Sequence, residues 1–379
     1  MTVGRAELAK LTAGKAVNTT SFRWLPFFLP VLAAAFMTST STLTTILGLG
    51  EMAGLTTLVV GRHLDGGRER QIMAGALALS ASMSLVAVTA NLWLFAGSFV
   101  LLMVGAATYT VAGHTYLSRR VAFAQRARTI GIFEVSWASA LLVGVPIIAL
   151  LISAFGWRAP FIVLSILGLM MAVVVARSTD STPLLADAAS ATDESRLSVD
   201  AWILIAAGVA ISVAGLTTIV IAGTWLSEAF GVSTAGIGLV AVAFGLAELA
   251  GSVSSAAIAD RVGPVAGARY ALVVTVVGLL VMSQAGTSLV LGVIGLLGFF
   301  LGFEFAIVTS FSFVSEAMPA ARGRVLATNN AFGTLGRGAG VISSGPLYET
   351  FGIGGPVALS VIATIVALTF MTVSINRTS

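Results

Sequence analysis

The chain is 379 residues long, and 57% of its residues are hydrophobic while only 9% are charged. A soluble domain carries about 25% charged residues, so this composition excludes a soluble enzyme, a nucleic-acid-binding protein and a disordered protein. The formal net charge of +4 therefore needs an explanation other than nucleic acid, and the lack of cysteine with only two histidines predicts no metal site and no cofactor.

Twelve apolar stretches are long enough to cross a membrane as helices, which takes about 20 residues for a hydrocarbon core of about 30 Å. In chain order these predicted spans are residues 10–36, 42–62, 71–90, 93–117, 128–154, 158–177, 200–227, 234–258, 268–285, 288–314, 325–347 and 354–375. The chain is rich in glycine, with 41 residues, and small residues let membrane helices pack closely. The pattern predicts an all-α integral membrane protein with twelve transmembrane helices embedded in the lipid bilayer.

The apolar part of the first span, residues 24–36, is about as long as the apolar region of a signal peptide. A signal peptide cleaved after the alanines at 33–35 is therefore the alternative to a retained first helix. We favour the helix, because the region before residue 24 would be unusually long and because the segment has a counterpart in the second half of the chain. Pro26 and Pro30 are expected to bend this helix.

Lysine and arginine are distributed unevenly between the two sides of the predicted spans. Of the twenty basic residues, sixteen lie on one side, Arg158 alone lies on the other, and Lys15, Arg23 and Arg337 lie within spans. Basic residues concentrate in cytoplasmic loops. The pattern predicts a multi-pass protein of the inner (plasma) membrane with both termini and the polar segment 178–199 in the cytoplasm, so the net charge reflects topology.

The two halves of the chain repeat one another. Residues 48–54, GLGEMAG, recur as GLAELAG at 245–251, and Asp65 after the second span corresponds to Asp260 after the eighth. Such an internal repeat is typical of transporters that bind their substrate between two related halves. The predicted domains are an N-terminal six-helix bundle at 1–177, a cytoplasmic linker at 178–199 and a C-terminal six-helix bundle at 200–379.

The loop after the second span carries a recognisable motif. Residues 61–70, GRHLDGGRER, contain a glycine, an aspartate four positions later, and then glycine and basic residues; residues 260–263, DRVG, form a shorter second copy. This motif resembles the loop 2–3 signature of the major facilitator superfamily. Span five and the following segment 155–161, FGWRAPF, resemble the drug and sugar efflux branch of that superfamily, although its glycine-rich antiporter motif is incomplete here.

The resemblance implies two pseudo-symmetric six-helix bundles around a mid-membrane cavity lined by spans one, four, five, seven, ten and eleven. It also implies charge contacts at the cytoplasmic ends of spans two and eight that hold one conformation and break in the other. The alternative is that these charged residues only mark the cytoplasmic face and hold no conformation. The residues that would form this conformational latch are Gly61, Asp65, Arg68, Arg70, Asp260 and Arg261.

Polar residues within the spans are candidates for binding, because a charge at membrane depth costs roughly 3 kcal/mol or more on insertion scales. Arg23 and Arg337 could contact an anionic or carbonyl-bearing substrate. Glu304 is flanked by phenylalanines that could desolvate it, and a desolvated carboxyl group can exchange protons near neutral pH. A structural ion pair is the alternative for each charge. The candidate substrate- or proton-binding residues are Arg23, Glu51, Glu134, Trp137, Glu304, Asn330, Thr334 and Arg337.

Helical spacing places several of these residues on shared faces. Arg23 shares a face of span one with Lys15, and Glu134 shares a face of span five with Trp137. Lys15 is close enough to the cytoplasmic end for its ammonium to reach the membrane surface. His114, near the same end of span four, is expected to be structural.

The second half contributes a similar face. Asn330, Thr334 and Arg337 lie on one side of span eleven, with Arg337 near the middle of its length. Glu51 and its repeat counterpart Glu248 occupy equivalent positions in the two halves, which suits a structural role in each.

The sequence therefore predicts a secondary active transporter that moves a small organic molecule by alternating access, with protons as the coupling ion and efflux as the direction. A proton-coupled uptake symporter for an organic anion is the alternative, favoured if Arg23 and Arg337 both face the cavity. A membrane enzyme or receptor is less favoured, because no catalytic cluster and no sizeable extramembrane domain are evident. We expect a monomer.

Overall fold

The structure is a computed structural model that describes residues 3–60, 68–178, 197–318 and 321–378. For a few residues inside these ranges, among them Asp260, only the backbone is described. The described residues are almost entirely helical. The α-helices are α1 (Arg5–Arg23), α2 (Leu29–Phe36), α3 (Thr40–Met52), α4 (Thr57–Val60), α5 (Glu69–Val86), α6 (Leu92–Arg120), α7 (Phe123–Ser139), α8 (Val145–Phe155), α9 (Arg158–Arg177), α10 (Val199–Phe230), α11 (Thr234–Val262), α12 (Pro264–Ser283), α13 (Leu289–Glu316), α14 (Arg322–Phe351) and α15 (Gly354–Thr378).

The first predicted span is not one continuous helix. It begins at Arg5, five residues earlier than predicted, and a 3₁₀ turn over Leu25–Phe28 separates α1 from α2. Pro26 lies inside that turn and Pro30 is the second residue of α2. Proline has no N–H and cannot continue the α-helical hydrogen-bond ladder, so the break falls where the two prolines predict it.

The fifth predicted span is also interrupted. A π-helical segment over Ala140–Gly144 joins α7 to α8, and Pro146 follows at the start of α8. Because Pro146 has no N–H to donate, the carbonyl group one turn earlier loses its usual partner, and the ladder widens there. Gly144 lies against the side chain of Thr20 on α1, where a β-carbon would come within 2.7 Å of that side chain. The absence of a side chain therefore lets α1 approach the widened segment.

Ten helical stretches of the described chain are long and apolar enough to cross a membrane. The other two predicted spans, 10–36 and 325–347, correspond to α1 with α2 and to α14. Both are helical but more polar than the rest, and they carry the three basic residues that lie within spans, Lys15, Arg23 and Arg337.

The helices cluster into two compact units. The first comprises Met1–Leu25, Ala34–Met37 and Ala53–Ala191, and the second comprises Pro26–Ala33, Thr38–Met52 and Thr192–Ser379. In the first unit, α5 packs against α6 and α9, and α1 packs against α7 and α9. In the second, α10 packs against α14 and α15, α12 against α13, and α3 against α14.

The contact between α12 and α13 is built on glycine. Gly278, Gly295 and Gly302 lie where a β-carbon would overlap backbone atoms of the facing helix; at Gly295 it would come within 2.5 Å of the Met282 nitrogen. Glycine lets the two backbones approach closely, which is how helices associate in lipid.

Candidate functional site

Two faces predicted from helical spacing contact each other in the first unit. The face of α1 that carries Lys15 and Arg23 packs against the face of α7 that carries Glu134 and Trp137. The ammonium of Lys15 forms an ion pair with Glu134. Arg23 donates a hydrogen bond of 2.7 Å to the Trp137 carbonyl, and its guanidinium lies 4.3 Å from the centre of the Trp137 indole.

A third helix, α6, contributes to the contact between Lys15 and Glu134. On α6, Nε2 of His114 lies 2.6 Å from Oε1 of Glu134, the same oxygen that pairs with Lys15. The lysine is 2% exposed, whereas the histidine and the glutamate are 40% and 39% exposed. We call Lys15, His114 and Glu134 the Lys15 cluster. It combines a buried cation with a carboxylate and an imidazole that remain accessible.

Aromatic rings close the buried side of the Lys15 cluster. The ammonium of Lys15 lies 4.6 Å from the centre of the Phe133 ring, a cation–π contact. The Phe133 ring lies against Gly113 of α6, where any side chain would overlap it. Tyr109 packs parallel to Phe133 and donates a hydrogen bond of 2.8 Å to the Leu11 carbonyl. These rings exclude water from the lysine and leave Glu134 as its counter-charge.

The structure bears on two expectations from the sequence. The side chain of Lys15, expected to reach the membrane surface, is buried and pairs with Glu134. His114, expected to be structural, contacts the carboxylate of Glu134. The sequence indicated that Lys15 and Arg23 share a helix face. Nothing in the sequence indicated that His114 would be the third member of the cluster.

The second unit brings together other predicted residues. Nε of Arg337 on α14 lies 3.1 Å from Oε2 of Glu51 on α3, and Nη2 donates a hydrogen bond of 2.9 Å to Thr334. We call Glu51, Thr334 and Arg337 the Arg337 cluster. Arg337 also lines a cavity of about 50 Å³ together with Asn330. An ion pair of this kind is the structural alternative predicted for Glu51, and its repeat counterpart Glu248 is a buried residue of α11.

Glu304 lies in a different environment from the Arg337 cluster. Its carboxylate accepts a hydrogen bond of 2.6 Å from Ser252 of α11. The neighbouring Phe303 is among the residues that line the cavity, whereas Glu304 is not among the described lining residues. The carboxylate therefore contacts the α11 side of α13.

The predicted latch is described only in part. Gly61 and Asp65 lie outside the described residues, and the side chain of Asp260 is not described. Arg68 and Arg261 are exposed, and Arg70 donates a hydrogen bond to the carbonyl of Ser178.

One acidic residue beside the latch was missed from the sequence. Glu69, at the start of α5, is fully buried, and its carboxylate lies 2.9 Å from Arg119 and 3.7 Å from Arg120 at the end of α6. The guanidinium of Arg120 also lies 3.8 Å from the centre of the Tyr116 ring. The only indication of this role in the sequence was that Glu69 lies between Arg68 and Arg70 in the motif.

Comparisons with known proteins agree with this architecture. Residues 11–218 match the family model described as the Major Facilitator Superfamily. The fold is similar to that of a D-xylose-proton symporter, with a TM-score of 0.78 and 15% identity over 96% of this chain and 97% of that one. No curated protein sequence is similar enough to count as a match.

A second solved structure is equally similar in fold. It is a bacterial homolog of the human lysosomal transporter Spinster, in an inward-facing and occupied conformation, with a TM-score of 0.77 and 14% identity over 97% of this chain and 96% of that one. The same homolog in its unoccupied conformation gives a TM-score of 0.73. These likenesses confirm the predicted fold class, an all-α membrane fold of twelve helices in two related bundles.

Proposed function

The chain belongs to the major facilitator superfamily, and from this premise we propose that it exports a small organic molecule in exchange for protons by alternating access. Membership makes it a multi-pass membrane transporter rather than an enzyme. The direction, the proton coupling, the monomeric state and the placement in the inner (plasma) membrane with cytoplasmic termini are our proposal.

The Lys15 cluster is the observation that carries proton coupling. A charged side chain within a span faces the bundle interior or a water-filled cavity, because exposure to lipid costs several kcal/mol. Glu134 and His114 are partly exposed and are 2.6 Å apart. A proton can therefore reach the imidazole from outside the packed helices and pass to the carboxylate. When Glu134 takes a proton, Lys15 loses its counter-charge, which disfavours the packing of α1 against α7 and so links protonation to conformation.

Two observations bear on the direction of transport. The similarity of residues 155–161 to the efflux branch favours export. The likeness to a D-xylose-proton symporter favours uptake as the second candidate. Uptake of an organic anion is less favoured, because the guanidinium of Arg337 is already balanced by Glu51 and that of Arg23 lies on Trp137.

The sign of a pH change separates the two directions. The purified protein is reconstituted into vesicles that contain a pH-sensitive dye, and candidate compounds are added outside. An exchanger lets the compound in and a proton out, so we expect the lumenal pH to rise. A symporter would bring compound and proton in together and lower the lumenal pH, and no change with any uncharged, anionic or cationic compound would reject proton coupling.

The cytoplasmic position of the linker is tested by labelling, since the native chain has no cysteine. Ser190→Cys lies in the predicted linker, and Thr287→Cys lies between α12 and α13 on the predicted outer side. We expect an impermeant maleimide added to intact cells to label the second variant and not the first. Labelling of Ser190→Cys from outside would reverse the proposed orientation.

A further inference from the structure

The second unit carries an apolar groove that shares no described lining residue with the small cavity beside Arg337. The groove runs along α10, with α14 and α15 as its walls, and it is open along one side. Its volume is about 510 Å³, and every described residue that lines it is apolar or aromatic. The lining residues used below are Trp202, Ala206, Val213, Phe332, Ala363 and Val366.

The groove is a depression between helices, and not part of a convex helix face. On its floor, Ala363 is only 7% exposed, whereas Trp202 and Phe332 on its rim are 45% and 42% exposed. The floor is low because α10 and α15 contribute alanines there, among them Ala206 and Ala363. Larger side chains on the rim, such as Val366, enclose the space above these alanines.

The two ends of the groove differ. Beyond Val213, the hydroxyl of Ser360 on α15 donates a hydrogen bond of 2.7 Å to the carbonyl of Ala214, so α10 and α15 are in contact and the groove ends. At the opposite end the rings of Trp202 and Phe332 meet edge to face, with their centres 5.4 Å apart. Trp202 is the fourth residue of α10. The groove therefore extends inward from the end of the bundle at which α10 begins.

The dimensions of the groove indicate what can fill it. From Trp202 to Val213 the helix rises by about 16 Å, at about 1.5 Å per residue. One leaflet contributes half of a hydrocarbon core of about 30 Å, so its chains span about the same length. Dividing about 510 Å³ by about 16 Å gives a mean cross-section of about 30 Å². Another helix, about 10 Å across, needs more than twice that area and does not fit.

The surroundings favour a lipid chain as the occupant. Lipid tails are as apolar as leucine, so association within the bilayer depends on close van der Waals contact and not on exclusion of water. A chain that follows the groove contacts three helices along its length. At the open end, the indole of Trp202 has the amphipathic character that suits the level of lipid headgroups.

We propose that this groove binds one acyl chain of a membrane phospholipid. The chain lies lengthwise along α10, with its methyl end towards Val213 and its headgroup beside Trp202. With the orientation proposed above, the phospholipid belongs to the cytoplasmic leaflet. The bound chain fills the space between α10 and α15 and thereby stabilises the second unit, a role separate from the transported substrate.

Native mass spectrometry tests for the bound lipid. The full-length protein is stripped of lipid in detergent and incubated with either palmitoyl-oleoyl phosphatidylglycerol or palmitate. We expect one phospholipid per protein to be retained at collision energies that remove lipid from the rest of the surface. Retention of palmitate without phospholipid would assign the groove to a free fatty acid and overturn the proposal, as would retention of neither.

Variants locate the retained lipid in the groove. Ala206→Leu and Ala363→Leu each fill part of the groove, so each should lower the lipid-bound fraction about tenfold. Ala358→Leu is the matched control, because Ala358 is an exposed residue of α15 that does not line the groove. It should retain phospholipid as the wild type does. Equal retention in the wild type and in both filling variants would refute the site.

The melting temperature separates a filled groove from a damaged fold. Because leucine would occupy space that is already present, both lipid-free filling variants should melt no lower than the lipid-free wild type. Added phosphatidylglycerol should raise the melting temperature of the wild type and of Ala358→Leu, since a ligand of the folded state stabilises it. The filling variants should not respond. Lower melting of both without lipid would show that the space is absent, and would equally overturn the proposal.

Discussion

Glu134→Gln is expected to abolish proton coupling and to destabilise the protein. The substitution removes the carboxylate that pairs with Lys15, whose side chain is 2% exposed and packed on Phe133. A buried charge that loses its partner lowers the stability of the folded protein. Because Glu134 is partly exposed, we expect the loss to be up to about 3 kcal/mol. The melting temperature in detergent should fall by several degrees, and the substrate-evoked change of lumenal pH should disappear.

Removing both charges separates stability from coupling. In Lys15→Met/Glu134→Gln no cation is left unpaired, so the melting temperature should return close to that of the wild type while coupling stays absent. Glu316→Gln, at an exposed glutamate at the end of α13, serves as the matched control and should change neither quantity. Wild-type coupling in Glu134→Gln would remove this residue from the proton pathway. A double variant as unstable as the single one would show that the pair does not act through charge.

Gly295→Ala should prevent α12 and α13 from packing. The new β-carbon would lie 2.5 Å from the nitrogen and 2.8 Å from the α-carbon of Met282. Since these are backbone atoms, no rotamer change relieves the overlap and the helices must separate. Overpacking of this kind costs about 1–3 kcal/mol, sometimes more. Little monodisperse protein should be recovered, and what is recovered should unfold at a lower fraction of sodium dodecyl sulfate.

Gly298→Ala provides a control on the same helix. A β-carbon there meets only the α-carbon of Gly278, at 3.5 Å, which is ordinary van der Waals contact. Alanine is also a better helix former than glycine by about 1 kcal/mol. We expect unchanged or slightly raised stability. Equal stability of the Gly295→Ala and Gly298→Ala variants would contradict close backbone packing as the basis of this contact.

Helical spacing predicted which residues share a face, and prolines predicted where helices break. The pairs Lys15 with Arg23 and Glu134 with Trp137 follow from a period of 3.6 residues, and the break after α1 follows from Pro26. These are local properties, set by the geometry of a single helix. They are enough to predict most of the helices and the faces on which several candidate site residues lie.

The partners of these residues could not be predicted, because they depend on contacts between segments far apart in the chain. Lys15 and Glu134 are 119 positions apart, and Glu51 and Arg337 are 286 apart. The burial of Lys15 could not be predicted either, because it depends on Phe133 and Glu134 of α7. Likewise, the close approach of Asn329 on α14 to Gly208 on α10 depends on the packing of these two helices.

The order in which the chain is synthesised gives α1 and α14 unequal prospects of insertion. These two helices are the most polar of the twelve predicted spans, and a lysine or arginine at the centre of a helix opposes membrane insertion by about 2.5–3.5 kcal/mol. When α14 leaves the ribosome, Glu51 has long been made and can neutralise Arg337. When α1 leaves it, Glu134 does not yet exist. We therefore expect α1 to remain at the membrane surface until α7 has been synthesised. Assembly of the N-terminal unit then depends on its fifth span.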